Sequence, residues 1–204
     1  ALSGNIVLTT KAGTNDFHGS FTVEASQKSG DEPFGEKTDQ PDPDTELFSF
    51  TFNGPIIKDK LFFSLGYEKY EASDPISLLG FQSGSVTKAE ADAVIKAAMD
   101  VIGYDAGSYN KAREEEDEKT FLRFDANLTD SQTLTLEYIH VDGFTESAYW
   151  NRTWGLPLSS DWYTINKEYE TLKFELNSDW TDNFSTKVMF SDTEVDNPNT
   201  PVGS

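Results

Sequence analysis

The stretch Leu47-Phe48-Ser49-Phe50-Thr51-Phe52-Asn53-Gly54-Pro55 decides the fold class of this chain. Its phenylalanines alternate with Ser49, Thr51 and Asn53. Because successive side chains of a β-strand point to opposite faces, the three phenylalanines share one face of a strand. Asn53-Gly54-Pro55 then ends the strand in a turn. The stretch predicts an amphipathic strand followed by a tight reversal.

The same alternation recurs along the chain and predicts about seven strands. We place them at about 17–26, 46–54, 60–71, 118–128, 132–142, 167–178 and 184–193. The turns near Asn53, Thr129 and Thr181 are short, whereas about 26–45, 72–117 and 142–167 form long connections. Short turns at one end and long loops at the other are typical of outer-membrane β-barrels, whereas soluble sandwiches mix loop lengths at both ends. The fold class is therefore predicted as all-β, an antiparallel meander from a large transmembrane β-barrel.

Charged side chains in the middle of predicted strands favour the same interpretation. Arg123 and Asp125 alternate with Leu122 and Phe124, and Lys173 and Glu175 alternate with Leu172 and Phe174. In a wide barrel such residues face a watery lumen. Ordinary half-buried strands of a soluble β-domain remain the alternative.

The long middle loop contains one predicted helix, at about 88–102. Thr87-Lys88-Ala89-Glu90 is a capping box, and Gly103 stands where a C-cap glycine belongs. Apolar residues follow the capping box at helical spacing. The helix is too short and too charged at its margins to span a membrane, so we expect it on the extracellular loop side.

Composition excludes several function classes. The chain has 36 acidic and 16 basic residues, a formal net charge of −20, and no cysteine. This balance argues against a nucleic-acid partner, which needs clustered Lys and Arg. Disulfides, Cys-ligated zinc and a thiol nucleophile are absent by composition. No phosphate loop, dinucleotide fingerprint or nucleophile elbow occurs, so no cofactor and no enzymatic activity are predicted.

Two long motifs resemble a known family. Ile6-Val7-Leu8-Thr9-Thr10-Lys11-Ala12-Gly13-Thr14-Asn15-Asp16-Phe17-His18-Gly19-Ser20 resembles the junction between plug and barrel in TonB-dependent outer-membrane receptors. Asn53-Gly54-Pro55-Ile56-Ile57-Lys58-Asp59-Lys60-Leu61-Phe62-Phe63 resembles the first short turn of their Oar-type branch, with Asn53 in place of the usual Gly. A third, weaker similarity covers 176–186. The junction residues carried over are Lys11, Gly13, Thr14, Asn15, Phe17, His18 and Gly19.

The resemblance implies an organisation and a function. Residues 1–16 would be the last plug strand and the junction, and 17–204 the amino-terminal part of the barrel. Receptors of this family are several times longer, with about 22 strands, so the chain is expected to be a fragment. The implied activity is energy-coupled substrate uptake across the bacterial outer membrane. TonB would act through an upstream segment absent from this sequence, and the substrate is not identified.

Candidate binding residues lie in the long loops. Tyr149, Trp150, Trp154, Trp162 and Tyr163 cluster in the third one, where aromatics serve either as ligand contacts or as an interfacial belt. Asp39, Asp42 and Asp44 come near calcium-loop spacing, but the EF-hand glycine and closing glutamate are missing, so a solvated acidic loop is favoured over a metal site. Glu114–Glu118 is interpreted as a charged loop end.

A second function class stays open from the sequence. The chain would then be a soluble extracellular β-domain that binds carbohydrate or a protein partner through the aromatic loop. Both interpretations share the strand alternation. They differ in what lies against the apolar face, which is lipid in the barrel and a protein core in the soluble domain.

Overall fold

Long antiparallel strands make up most of the molecule. The computed structural model describes residues 14–27, 43–75, 79–148 and 155–201. The elements in chain order are β1 (His18–Gln27), β2 (Asp44–Ile57), β3 (Leu61–Pro75), α1 (Leu79–Gln82), α2 (Lys88–Ile102), β4 (Ala112–Thr129), β5 (Gln132–Ala148), a 3₁₀ turn (Ser159–Asp161), β6 (Trp162–Thr181), β7 (Phe184–Asp196) and β8 (Asn199–Pro201).

The strands form one sheet in sequence order, from β1 to β7. Every neighbouring pair is antiparallel, and the three-residue β8 pairs with the loop end of β6 beyond β7. The predicted antiparallel meander of seven strands with a helix in a long loop is therefore confirmed. The proposed division at residue 16 into plug and barrel lies mostly outside the described residues and stays a prediction.

Several strands extend further toward the long loops than the alternation of apolar residues predicts. β4 begins at Ala112, and Glu114–Glu118 lie inside it, so the interpretation of this run as a loop end is wrong. All five acidic residues pair with β3 across the sheet. The backbone ladder continues there although neither face is apolar, and a search for alternating hydrophobicity misses such a segment.

Helix α2 has the predicted bounds and caps. The Thr87 hydroxyl accepts a hydrogen bond from the Glu90 amide at 3.3 Å, and the Glu90 carboxylate accepts one from the Thr87 amide at 2.8 Å. Gly103 adopts φ 67°, and its N–H donates to the Met99 carbonyl. Within the described ranges, no helix is long and apolar enough to cross a membrane.

A small buried core lies under the long loops and not within the sheet. Ala91 of α2 and Tyr109 are each 5 % exposed, and they pack with Phe81, Val86, Ile95, Leu156 and Leu158. These residues come from the β3–β4 and β5–β6 connections, so the two loops form one cap at the loop end of the sheet. The sheet itself leaves most of its large apolar side chains exposed.

Candidate membrane interface and lumenal wall

One face of the sheet, here called the outer face, carries exposed apolar side chains near the short turns. Cross-strand register brings Phe21 opposite Phe50, and Phe50 opposite Tyr67. Their rings pack along the surface, for example Phe50 on Tyr67 with centroids 5.9 Å apart. Phe21 is nevertheless 68 % exposed and Leu172 is 54 % exposed. Such a continuous apolar surface marks a contact with another apolar phase.

The opposite, inner face carries a paired network of charges at the same height. The Arg123 guanidinium donates two hydrogen bonds of 2.8 Å to the Asp125 carboxylate, which also accepts one of 2.8 Å from the Thr135 hydroxyl. Glu137 lies 3.8 Å from Arg123. The side chains of Arg123, Asp125 and Glu137 are only 16 %, 13 % and 14 % exposed.

A second group of charges continues this network on β6 and β7. Glu175 accepts hydrogen bonds from Lys187 at 2.9 Å and from Asn177 at 3.0 Å, and Lys173 lies 3.5 Å away. The side chains of Arg123, Asp125, Glu137 and Glu175 on the inner face are therefore less exposed than outer-face phenylalanines such as Phe50 and Phe124, at 36 % and 40 %. A soluble sheet has the reverse arrangement, whereas a membrane barrel needs lipid outside and polar groups inside.

The exposed apolar side chains of the outer face form a band, here called the apolar band. Its upper edge, toward the long loops, crosses the strands obliquely. The paired row near the turns is almost wholly apolar and contains Gly54, Phe63, Phe124, Leu136, Phe174 and Phe190. The row six residues further along each strand contains Phe48, Lys69, Glu118, Asp142, Glu168 and Asp196. In β2 the band thus reaches Phe48, whereas in β7 it ends at Phe190.

This obliquity measures the tilt of the strands. Between β2 and β7 the edge moves by three paired rows, about 20 Å along the strand, while five strand spacings cover about 24 Å. If the edge is the flat surface of a bilayer, the strands tilt by about 40° from the membrane normal, within the range of transmembrane barrels. The distribution of apolar residues and the register therefore agree on one membrane plane.

Beyond the band, the outer face is acidic. Glu71 pairs with Glu116, Glu118 with Asp142, and Glu170 with Glu194. Like charges directly opposite one another are destabilising, and they are tolerable only where water screens them. These carboxylates therefore stand in extracellular water. Lys69 lies between the apolar band and the acidic part of the outer face, with its ammonium 2.7 Å from Glu71 and 3.4 Å from Glu116.

The aromatic candidates are only partly described. Tyr149, Trp150 and Trp154 lie outside the described residues. Trp162 and Tyr163 are adjacent in β6, so their side chains point to opposite faces. Trp162 is 1 % exposed, under the Lys111 ammonium at 5.3 Å from its ring, and Lys111 is paired with Glu146 at 2.9 Å. Trp162 is thus a packing residue in this conformation, and ligand contact by Tyr163 stays a prediction.

The acidic candidates are likewise divided. Asp39 and Asp42 lie outside the described residues, and Asp44 begins β2, opposite Gln27 and Ser73. Asp44 borders a shallow groove whose other lining residues include Glu46, Glu71, Glu114 and Phe144. Among the described side chains, no group of three or more His, Cys, Asp or Glu is placed to hold a metal ion.

The junction motif can be followed from Thr14 onward, since Lys11 and Gly13 lie outside the described residues. Asn15 is hydrogen-bonded to Asp59 in the β2–β3 turn, and Phe17 stacks on Phe52 with centroids 5.8 Å apart. His18 and Gly19 begin β1, opposite Asn53 and Phe52. Sequence reasoning missed the Asn15–Asp59 contact because its residues are 44 positions apart and form no pattern.

Two of the cap's charged groups have shifted pKa values. The hydrogen bond from the Thr87 backbone, reinforced by its hydroxyl, lowers the pKa of Glu90. The hydrogen bond to the Tyr109 hydroxyl, with Asp92 nearby, raises the pKa of Lys88. Both groups are charged at neutral pH. Glu90 closes the amino-terminal end of α2 on Thr87, and Lys88 ties α2 to Tyr109 in the segment that follows it.

Comparisons with known proteins agree with this geometry. A family model described as an outer membrane beta barrel domain matches residues 9–90, from the junction motif through β1, β2 and β3 into α2. A search of curated proteins gave no match, and neither did a search of solved structures. With its exposed apolar band, inner charges and antiparallel meander, this chain is an outer-membrane β-barrel protein of the bacterial outer membrane.

Proposed function

We propose that the chain is part of a TonB-dependent transporter of the Oar type, which takes up a substrate with energy supplied from the inner membrane. The observation that carries the proposal is the meeting of the two family-like motifs in space. Asn15 and Phe17 from the first motif contact Asp59, Phe52 and Phe63 at the β2–β3 hairpin, next to or within the second. These contacts lie at the rim of the short turns, which is the periplasmic rim of an outer-membrane barrel and the side on which a plug would enter the barrel.

The edges of the sheet support a barrel with further strands. Among the described residues, β1 pairs only with β2, while β7 pairs only with β6. Both edge strands carry apolar residues of the band, such as Phe21 and Phe190, and so lie at the depth of the hydrocarbon. Unpaired peptide groups cost several kcal/mol each there. Strands beyond the described ones are therefore proposed to close the barrel, and about 22 in total would match the resemblance.

Transport of this kind assigns no catalytic residue and no cofactor to this chain. The TonB contact would be made by a segment upstream of the sequence. Substrate would bind at the extracellular loops, where Tyr163 and the cap are candidates. The acidic outer rows repel anions at long range, though weakly at physiological salt, which disfavours a highly anionic substrate.

The soluble extracellular β-domain, the other interpretation of the sequence, has no support from the geometry. Its apolar face would need a protein core against it. In the described residues, however, five of the six buried apolar side chains lie in the β3–β4 connection or at the loop ends of β4 and β6, and Phe50, Phe124 and Leu136 on the outer face remain 36 %, 40 % and 41 % exposed.

Size and fractionation of the native protein test the barrel part of the proposal. An antibody against the peptide Lys28–Glu46 should detect an outer-membrane band that migrates differently in boiled and unboiled samples. A transporter of about 22 strands with a plug predicts a band near or above roughly 100 kDa. A soluble band near 22.8 kDa without a heat shift would reject the proposal.

Formaldehyde cross-linking in living cells tests the energy coupling separately. We expect an adduct recognised both by this antibody and by one against TonB, and its loss in cells that lack TonB. A heat-modifiable barrel of the expected size that forms no such adduct would retain the barrel assignment and reject TonB-dependent transport.

A further inference from the structure

A pair of hydrogen bonds joins the segment before β1 to the β2–β3 turn. The Asn15 side-chain oxygen accepts a hydrogen bond of 2.8 Å from the Asp59 amide. The Asn15 side-chain nitrogen donates a second one to the Asp59 carboxylate. One side chain thereby satisfies both a backbone donor and a charged acceptor in a turn 44 residues away.

The turn that receives Asn15 is itself held in place. Asp59 has φ 62°, the left-handed conformation that Asp and Asn adopt more readily than most residues. Its carbonyl accepts a hydrogen bond of 2.8 Å from the Asn127 side chain of β4, and the Lys60 carbonyl accepts one of 2.7 Å from the Asn127 amide. Asn15 is thus attached to a rigid point shared by β2, β3 and β4.

Phe17 closes the same contact on the outer face. Its ring stacks on Phe52 and lies 6.4 Å from Phe63. A Cβ atom added to Gly54 would overlap the Phe17 ring, so only glycine leaves room for the ring at that position. The polar bonds of Asn15 and the apolar packing of Phe17 therefore fix two successive points of the chain as it enters β1.

We propose that Asn15 is an anchor that mechanically separates the segment upstream of residue 14 from the barrel. A pull on the chain before residue 14 would load the two Asn15–Asp59 hydrogen bonds before it reaches the β1 ladder, so β1 would stay paired with β2. The anchor rests on geometry alone. Its role in transmitting or stopping force rests on the proposed function.

Exchange of donor and acceptor provides a specific test of the anchor. Asn15→Asp places two carboxylates at hydrogen-bonding distance and removes the donor. Asp59→Asn keeps an acceptor for Asn15 and keeps a residue that tolerates positive φ. The double variant Asn15→Asp/Asp59→Asn restores a donor–acceptor pair in the reverse sense. Thr14→Val is the matched control, because Thr14 bonds only locally to the Asp16 carbonyl, at 2.9 Å.

Hydrogen–deuterium exchange of the full-length protein in outer-membrane vesicles measures the anchor directly, at the Asp59 amide. We expect about tenfold or more faster exchange of a peptide covering this amide in Asn15→Asp, and wild-type exchange in Asp59→Asn, in the double variant and in Thr14→Val. Equal exchange in all variants would overturn the anchor. So would a double variant that exchanges as fast as Asn15→Asp.

Single-molecule pulling from the amino end of the same vesicle-embedded protein tests the mechanical role. In the wild type, we expect the chain before Asn15 to extend while β1 stays paired with β2. In Asn15→Asp, we expect β1 to detach from β2 at a lower force. Identical force–extension curves would overturn the mechanical role while leaving exchange protection intact. Neither measurement involves TonB or substrate, so failure of the anchor is distinguishable from failure of the transport proposal.

Discussion

The membrane half and the extracellular half of the same strands follow different rules. Near the short turns, the outer face is apolar and exposed while the inner face holds paired charges such as Arg123–Asp125. Toward the loops, the outer face carries opposed carboxylates such as Glu118 and Asp142, and the inner face is also charged, with Lys119 2.9 Å from Glu68. The difference teaches that a strand of this sheet needs an apolar face only where that face meets lipid. Where water lies on both sides, the backbone ladder continues without one.

The largest effect is expected from a charge inside the apolar band. Phe50→Arg should cost about 2–4 kcal/mol and block assembly, because an arginine on the lipid face must lie in hydrocarbon or drag water to it. Ser49→Arg, the adjacent residue on the inner face, is the matched control and should assemble. The heat-modifiable fraction in purified outer membranes measures both. Equal assembly of the two variants would contradict the assignment of faces.

A smaller loss is expected on the inner face. Arg123→Ala leaves Asp125 and Glu137 without their shared cation and should lower the free energy of unfolding by about 1–3 kcal/mol. Guanidinium unfolding of the protein in lipid vesicles measures the change. Ser64→Ala, at the position directly opposite Arg123 in β3, should cost far less. A loss from Arg123→Ala no larger than from Ser64→Ala would mean that lumenal water already screens these charges.

In the extracellular half, a single substitution should change the stability of α2 alone. Thr87→Ala removes the α2 cap and should destabilise the helix by about 1 kcal/mol, which faster hydrogen exchange of 88–95 would show, whereas Thr87→Ser should behave as wild type. Unchanged exchange in Thr87→Ala would argue against a stabilising role of the Thr87 side chain at the amino end of α2.

The hydrogen bonds between Glu90 and Thr87 also predict that the stability of α2 depends on pH. Folding lowers the pKa of Glu90 below its ordinary value near 4.5, so its contribution to stability is present above that value and is lost as the pH falls through the lower, folded pKa. Exchange from α2, corrected for the intrinsic pH dependence of exchange, should rise below about pH 4.5 in wild type. In Glu90→Gln the corrected rate should not vary with pH, and an acid-induced rise of equal size in this variant would locate the titrating group elsewhere.

The smallest expected effect comes from single labelled cysteines, which test whether the edge of the apolar band crosses the paired rows obliquely. Because the chain has no cysteine, single cysteines at Phe48 and Asp142, three strands apart on one paired row, can each carry a fluorophore. Nitroxide lipids should quench the label at Phe48 strongly and the label at Asp142 weakly. Equal quenching would place the membrane edge parallel to the paired rows and would contradict the tilt of about 40°.

Much of the fold was predictable because its signals are local. Alternation in 47–53 and 133–138 identified strands and faces, and Thr87, Glu90 and Gly103 identified the ends of α2. The loop ends of β4, β5 and β6 were not predictable in the same way. Glu114–Glu118 has no apolar alternation, and its strand structure follows from ladder bonds to β3.

The candidate site was predictable only in part. The sequence located aromatic residues in the third long loop, but it could not show that Trp162 is buried beneath Lys111 whereas Tyr163 points to the other face. It indicated that Arg123 and Glu175 face a polar interior, but not which partners satisfy them. Partner choice depends on register across strands, and register is a property of the assembled sheet.

By itself, the sequence determined the strands, their two faces and the alternation of short and long connections. Together with the family-like motifs, these features favour an outer-membrane barrel over a soluble β-domain. Tertiary structure alone decided the oblique membrane edge and the attachment of Asn15 to Asp59. The physical reason is the separation along the sequence over which each interaction acts. Alternation and capping act between residues a few positions apart, whereas a common membrane plane and a contact across 44 residues exist only after the strands have paired.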